Sequence, residues 1–172
     1  MKFIAILLVL FIVVAAGVLV MVYSGAYDVS TTNHDNALMN RVLDTAMTRS
    51  VQHHARGISA APPSDSTTIE MGFRHYDRMC VGCHGAPGVA HGDIADGLWP
   101  EAPDLAKTAA DWTPAQLYWI IKSGLKFTSM PAWGHSHSEK DLWAITAFVQ
   151  RLPRLSPSEY KAMQDRAARA RE

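Results

Sequence analysis

Residues 3–22, FIAILLVLFIVVAAGVLVMV, form an unbroken apolar run without a charge or a proline. Twenty helical residues rise about 30 Å, the hydrocarbon thickness of a bilayer. Only a helix satisfies its own backbone there, so residues 1–23 read as a transmembrane anchor. Lys2 precedes the run and no Lys or Arg follows until Arg41. That asymmetry orients the remaining chain to the periplasmic side of the membrane. A cleaved signal is the rival reading, because Ser24-Gly25-Ala26 suits a small-residue cleavage site. Signal cores usually run about 7–15 residues, which favours a retained anchor.

After the anchor the pattern changes. Residues 24–37 are polar and aperiodic and read as a stalk. A helix is predicted over 38–57, where Leu38, Val42, Leu43, Ala46, Met47 and Val51 share one face and Gly57 stops it. With the stalk it makes a segment at 24–66, ending in a Pro/Ser/Asp loop. Thr67-x-x-Glu70 suggests a capping box for a second helix whose stripe is Ile69, Gly72, Phe73 and Tyr76. Residues 85–111 are rich in Gly, Pro and Asp, a long irregular stretch that suits a loop wrapped on a cofactor. Thr113-Pro114 opens a third helix, running to Gly124. Ser138 caps a fourth, with Leu142, Ile145, Val149 and Leu152 on one face and Pro153 after it. Ser156-Pro157 opens a polar last helix over 156–172. No strand pattern or internal repeat is visible, so the expected fold class is all-α, with one compact domain at 67–155.

Composition narrows the chemistry. Sixteen Lys and Arg balance sixteen Asp and Glu, so no net field draws the chain to nucleic acid. Only two cysteines occur, in Cys80-Val81-Gly82-Cys83-His84. Two thiols at this spacing can each add to one vinyl group of a single haem, and the adjacent His presents its imidazole to the iron. Half a zinc site is the first rival, but no second Cys pair exists to complete it. A thioredoxin-like pair should open a helix after a strand, whereas a helix precedes this one. One covalent haem c is therefore expected, held by Cys80 and Cys83 with His84 on the iron.

A second iron ligand is sought across the haem. Met130 stands in a loop between two helices, followed by Pro131, which holds its backbone extended. His91, His135 and His137 are the competing nitrogen ligands. Ligation by His and Met fills both axial positions, which suits electron transfer rather than oxygen chemistry. His53-His54, about 100° apart on a helix, read as surface residues rather than a metal pair. Lys126 reads as a solvated lysine rather than a docking rim. Trp133 and Trp143 suit either a haem wall or core filling.

With these residues assembled, 67–154 resembles the class I cytochrome c domain, about half the chain. Gly72-x-x-x-Tyr76 ahead of Cys80-x-x-Cys83-His84 resembles the family's N-terminal helix, where the Gly permits close crossing by the C-terminal helix. Gly97-Leu98-Trp99-Pro100-Glu101-Ala102-Pro103 resembles the proline loop, one of whose carbonyls accepts the proximal His Nδ1–H. Either Pro100 or Pro103 could mark that carbonyl. Met130-Pro131-Ala132-Trp133-Gly134 resembles the distal-ligand loop, which implies that Met130 is the second axial ligand and that Trp133 lies near the haem. The resemblance implies a bacterial membrane-anchored monohaem cytochrome c, an electron carrier rather than an enzyme. Its expected partners are the membrane, through one N-terminal helix, and a redox protein donor and acceptor. The alternatives are a permanent haem subunit of a larger respiratory complex, or a haem enzyme or gas sensor with an open iron.

Overall fold

The computed structural model describes residues 2–33, 37–59, 62 and 64–170. Parts of the stalk (34–36) and of the Pro/Ser loop (60, 61 and 63), and the last two positions of the C-terminal segment, lie outside the described residues. The chain divides into two units, Met1–His34 and Asp35–Glu172.

The first unit carries α1, Lys2–Ser24, which has no buried residue. Among the described residues it is the one helix long and apolar enough to cross a membrane. An apolar side chain all round a helix is stable only in lipid or in a protein core.

The second unit is all-α: α2 (Ala37–His54), α3 (Ser66–Met79), α4 (Val81–His84), α5 (Asp93–Asp96), α6 (Leu105–Thr108), α7 (Pro114–Ser123), α8 (Glu139–Arg151) and α9 (Pro157–Arg169). Among the described residues the only strand-like feature is an isolated bridge between Ala86 and Val89. Three helices start on reciprocal capping boxes. Thr113 with Gln116 opens α7, Ser138 with Asp141 opens α8, and Ser156 with Glu159 opens α9. Each satisfies backbone donors that a helix start would otherwise leave bare. The start of α3 differs from the Thr67-Glu70 box expected. Asp65 is its cap, its carboxylate accepting the Thr68 N–H at 2.7 Å. The cap lies two residues upstream and takes the Thr68 donor, and Glu70 pairs instead with Arg74 at 3.6 Å.

The core forms where α3 crosses α8. A Cβ on Gly72 would overlap the Ala144 carbonyl and press on the Phe148 Cβ. The bare glycine therefore sets how closely the backbones approach. Around it Phe73, Tyr76, Leu142, Ile145 and Phe148 are all within 1 % of full burial. Phe73 meets Phe148 edge-on with ring centres 5.6 Å apart, and Tyr160 of α9 likewise at 5.5 Å.

Composition hides how α9 is used. Its sequence is polar, yet Tyr160, Met163 and Ala167 make a buried stripe against this core. Asp77 of α3 fastens it, accepting from the Tyr160 hydroxyl at 3.0 Å and the Gln164 amide at 2.9 Å. The face expected of α2 also changes. Val51 is fully buried, and His54 stacks on Trp119 of α7 with centres 5.3 Å apart. Leu38 and Val42 instead face out, 73 % and 54 % exposed. The packed arc is centred on Val51, about half a turn from Leu38 and Val42.

Gly72→Val should forbid the crossing and cost more than the ~1–3 kcal/mol usual for overpacking. Gly57→Ala, where a Cβ meets nothing within 4 Å, should leave the urea midpoint close to the parent's.

Candidate functional site

Helix α3 runs out at Cys80, and a single further turn, α4, carries Cys83 and His84. The Cys83 and His84 N–H groups both donate to the Cys80 carbonyl, at 3.1 and 2.9 Å. Gly85 ends the turn at φ +63°, a conformation open to glycine and rare for other residues. Two further bonds hold the turn from outside. The buried Tyr76 hydroxyl donates to the Gly85 carbonyl at 2.6 Å, and the Gly92 N–H donates to the Gly82 carbonyl at 2.8 Å. The Tyr76 hydroxyl, raised chiefly by burial, stays protonated and able to donate. Cys80 and Cys83 are free thiols. Burial, with Cys83 as a second cause, pushes the Cys80 thiol up to about 12.

His84 Nδ1 lies 2.8 Å from the Pro103 carbonyl. A carbonyl only accepts, so Nδ1 carries the proton and Nε2 keeps its lone pair. Burial lowers the His84 pKa, against the Pro103 bond that raises it, and so favours the neutral imidazole a metal needs. The Pro103 carbonyl is itself fixed by the next residue. Asp104 caps α6 by accepting the Ala106 N–H at 3.0 Å, and its carboxylate pairs with Lys107 at 2.8 Å. Of the two candidate prolines, Pro103 therefore supplies the acceptor. Pro100 is exposed and follows a cis peptide bond with Trp99.

Met130 is held by a compact turn between α7 and α8. Thr128 Oγ1 donates to the Leu125 carbonyl at 2.8 Å and accepts the Met130 N–H at 3.1 Å. The Leu125 N–H closes the turn on the Met130 carbonyl at 3.2 Å. Gly124, at φ +66°, lets the chain pass under it, since a Cβ there would come within 2.8 Å of the Pro131 carbonyl carbon. At the turn's apex Phe127 has φ +61° and is 79 % exposed. That conformation is costly for a bulky residue, and the bonds on either side hold it. Thr128 was not singled out from the sequence. A hydroxyl two residues ahead of Met130 is the local turn signal that could have found it.

The other candidate ligands fall elsewhere. His91 lines a cleft of about 390 Å³ together with His84 and Pro103, and pairs with Asp96 at 3.5 Å. His135 is exposed in a 3₁₀ turn. His137 is engaged by Ser136 Oγ at 2.9 Å and by ring contacts with His75 and Trp133. Met130 and Trp133 are partly buried against the core, whereas Trp143 stacks on Tyr118 with centres 4.2 Å apart. His53 and Lys126 are exposed.

The donor set suits a haem. Two unpaired thiols share one helical turn, an imidazole nitrogen is held unprotonated, and a thioether is pinned in a separate loop. Among the described residues no cluster of His, Cys, Asp and Glu could hold a bare metal ion. This helical fold, with a Cys-x-x-Cys-His turn after the crossing helix, makes the chain a class I c-type cytochrome with covalent haem c. Residues 67–149 match the family model described as cytochrome c oxidase, cbb3-type, subunit III. Over 116 residues, 64% of the chain, it is 28% identical to the Cbb3-type cytochrome c oxidase subunit FixP of Azorhizobium caulinodans. The match covers 36% of that relative, so the chain spans about a third of its length. Its apolar α1 is long enough to cross a membrane.

One buried group stands apart from this machinery. His75 of α3 has an enclosed Nδ1 with no partner, while its Nε2 lies 3.5 Å from Asp141. Burial is the main cause that lowers its pKa. Asp141 opposes the shift, and His137 and Arg78 add to it. The unfolded chain therefore binds a proton here more readily than the folded one. Stability should fall as pH drops below the ordinary histidine value of 6.5. Urea midpoints of the holoprotein measured from about pH 8 to about pH 5 should show this slope, and His75→Gln should flatten it.

Proposed function

We propose that the chain passes single electrons at the periplasmic face of a membrane, as a haem-bearing part of a respiratory oxidase complex. The observation that carries the site is the 2.8 Å bond from His84 Nδ1 to the Pro103 carbonyl, beside two free thiols on the same turn. Cys80 and Cys83 hold the haem through thioether bonds. His84 Nε2 and the Met130 sulfur would be the protein ligands of its iron. Haem c supplies a one-electron iron couple when bound. The Pro103 carbonyl orients the imidazole and strengthens it as a donor. The Thr128 bridge fixes the Met130 backbone and so would steady the thioether as a ligand. A haem held by both of these ligands would suit electron transfer rather than chemistry on a bound substrate. Pro100 and Trp133 belong to the wall around the haem, with Pro103 behind the imidazole.

The periplasmic side is supported by Lys2 ahead of α1 and the absence of Lys or Arg up to Arg41. Membership of an oxidase complex is supported by the match of 67–149 to a cbb3-type subunit III model and by the likeness to a cbb3-type oxidase subunit. The second reading is a free anchored carrier between a redox donor and an acceptor, favoured because α1 confines diffusion to the membrane plane.

Two variants test the site. Cys83→Ala should leave one thioether link, read as a shifted α-band in the pyridine haemochrome spectrum; a normal two-link spectrum overturns the attachment. Met130→Ala should retain covalent haem, bind carbon monoxide and lower the midpoint potential on the order of 100 mV, a fraction of the ~0.8 V that axial ligation spans. An unchanged potential removes Met130 from the iron.

A further inference from the structure

Helix α2 has two apolar faces, and only one of them is used by the fold. Val51 is fully buried and His54 stacks on Trp119, so that side is taken. On the other side lie Leu38, Val42, Ala46, Arg49 and His53, all exposed. Their spacing places them within about 80° of arc, a single stripe. The stripe is graded, with its N-terminal half apolar and its C-terminal half carrying Arg49 and His53. Asp44 is the helix's only acidic residue and projects from the far side of it. Among the described residues no ion pair engages Arg41 or Arg49.

Exposed apolar side chains in water are unfavourable by about 25 cal/mol per Å² relative to burial, so an aligned set of them calls for a cover. Twelve residues separate Ser24 from Ala37. Fully extended they reach about 40 Å at most, so a membrane crossed by α1 would be within reach of α2. We propose that the exposed stripe of α2 lies in the interfacial layer of that same membrane. Leu38 and Val42 enter the acyl boundary, and Arg49 meets anionic headgroups. The charge grading matches this occupant, since Leu and Val insert while a guanidinium stays with phosphate. With α2 packed on α7, such a seat would limit tumbling of the haem domain on its stalk. The inference rests on the anchored reading above and on no partner protein.

The test uses the full-length holoprotein in vesicles of phosphatidylethanolamine and phosphatidylglycerol. Cys80 and Cys83 are consumed by haem, so a nitroxide can be placed singly at Leu38→Cys, Val42→Cys, Asp44→Cys or Val13→Cys. Labels at 38 and 42 should collide with a water-soluble nickel chelate roughly threefold less than the label at 44, and more with oxygen. Equal nickel collision at 38, 42 and 44 overturns the proposal. Dipolar broadening at 38 and 42 overturns it in favour of a second copy covering the stripe. Nickel access at 13 would show instead that α1 is not inserted, which fells the anchored reading together with this one.

Discussion

The close crossing of α3 over α8 at Gly72 is the constraint on which the rest depends. Each of these helices leads directly to one half of the site. Helix α3 delivers Cys80 at its end and α4 immediately after, while α8 is entered from the loop that carries Met130. With the Ala144 carbonyl lying where a Cβ would sit on Gly72, the two backbones are locked at a separation no side chain allows. The aromatic cluster of Phe73, Tyr76, Phe148 and Tyr160 then sets the angle. The placement of two candidate ligand segments 50 positions apart thereby follows from one helix pair.

Around that crossing, polar bonds do the fine positioning that apolar packing cannot. Packing is non-directional, whereas a hydrogen bond selects an atom and an angle. The Tyr76 hydroxyl fixes the end of the attachment turn, the Pro103 carbonyl fixes one tautomer of His84, and Thr128 fixes the backbone of Met130. Each links residues that belong to different segments or to a turn with no regular structure. The strained Phe127 and the orphaned Nδ1 of His75 lie at the margins of this network.

The second unit also extends beyond the segment that resembles a cytochrome domain. Asp77 ties α9 to α3 through Tyr160 and Gln164, and Val51 seats α2 by α7. Both flanking helices use a minority of apolar positions on an otherwise polar surface, which is why composition alone made α9 look solvated. The apolar side of α2 at Leu38 and Val42 is left exposed by this packing.

Much of this was legible before any coordinates. An unbroken apolar run, hydrophobic spacing of three and four, and Pro or Gly at helix ends are local properties, so α1, α7 and α8 could be read along the chain. The Cys80-x-x-Cys83-His84 run pointed to a covalent haem because the chemistry lies within five consecutive residues. Met130 was singled out by its loop and by resemblance, and Gly72 by resemblance. The cap at Asp65 rather than Thr67, the choice of Pro103 over Pro100, the bridge at Thr128 and the burial of Tyr160 were decided only by tertiary structure. These depend on which carboxylate, carbonyl or hydroxyl arrives within about 3 Å of a donor once helices have packed, and spacing along a sequence carries no such distance. The outward turn of Leu38 and Val42 was invisible for the same reason: periodicity shows that a face is apolar, and only the neighbouring helix decides which face is used.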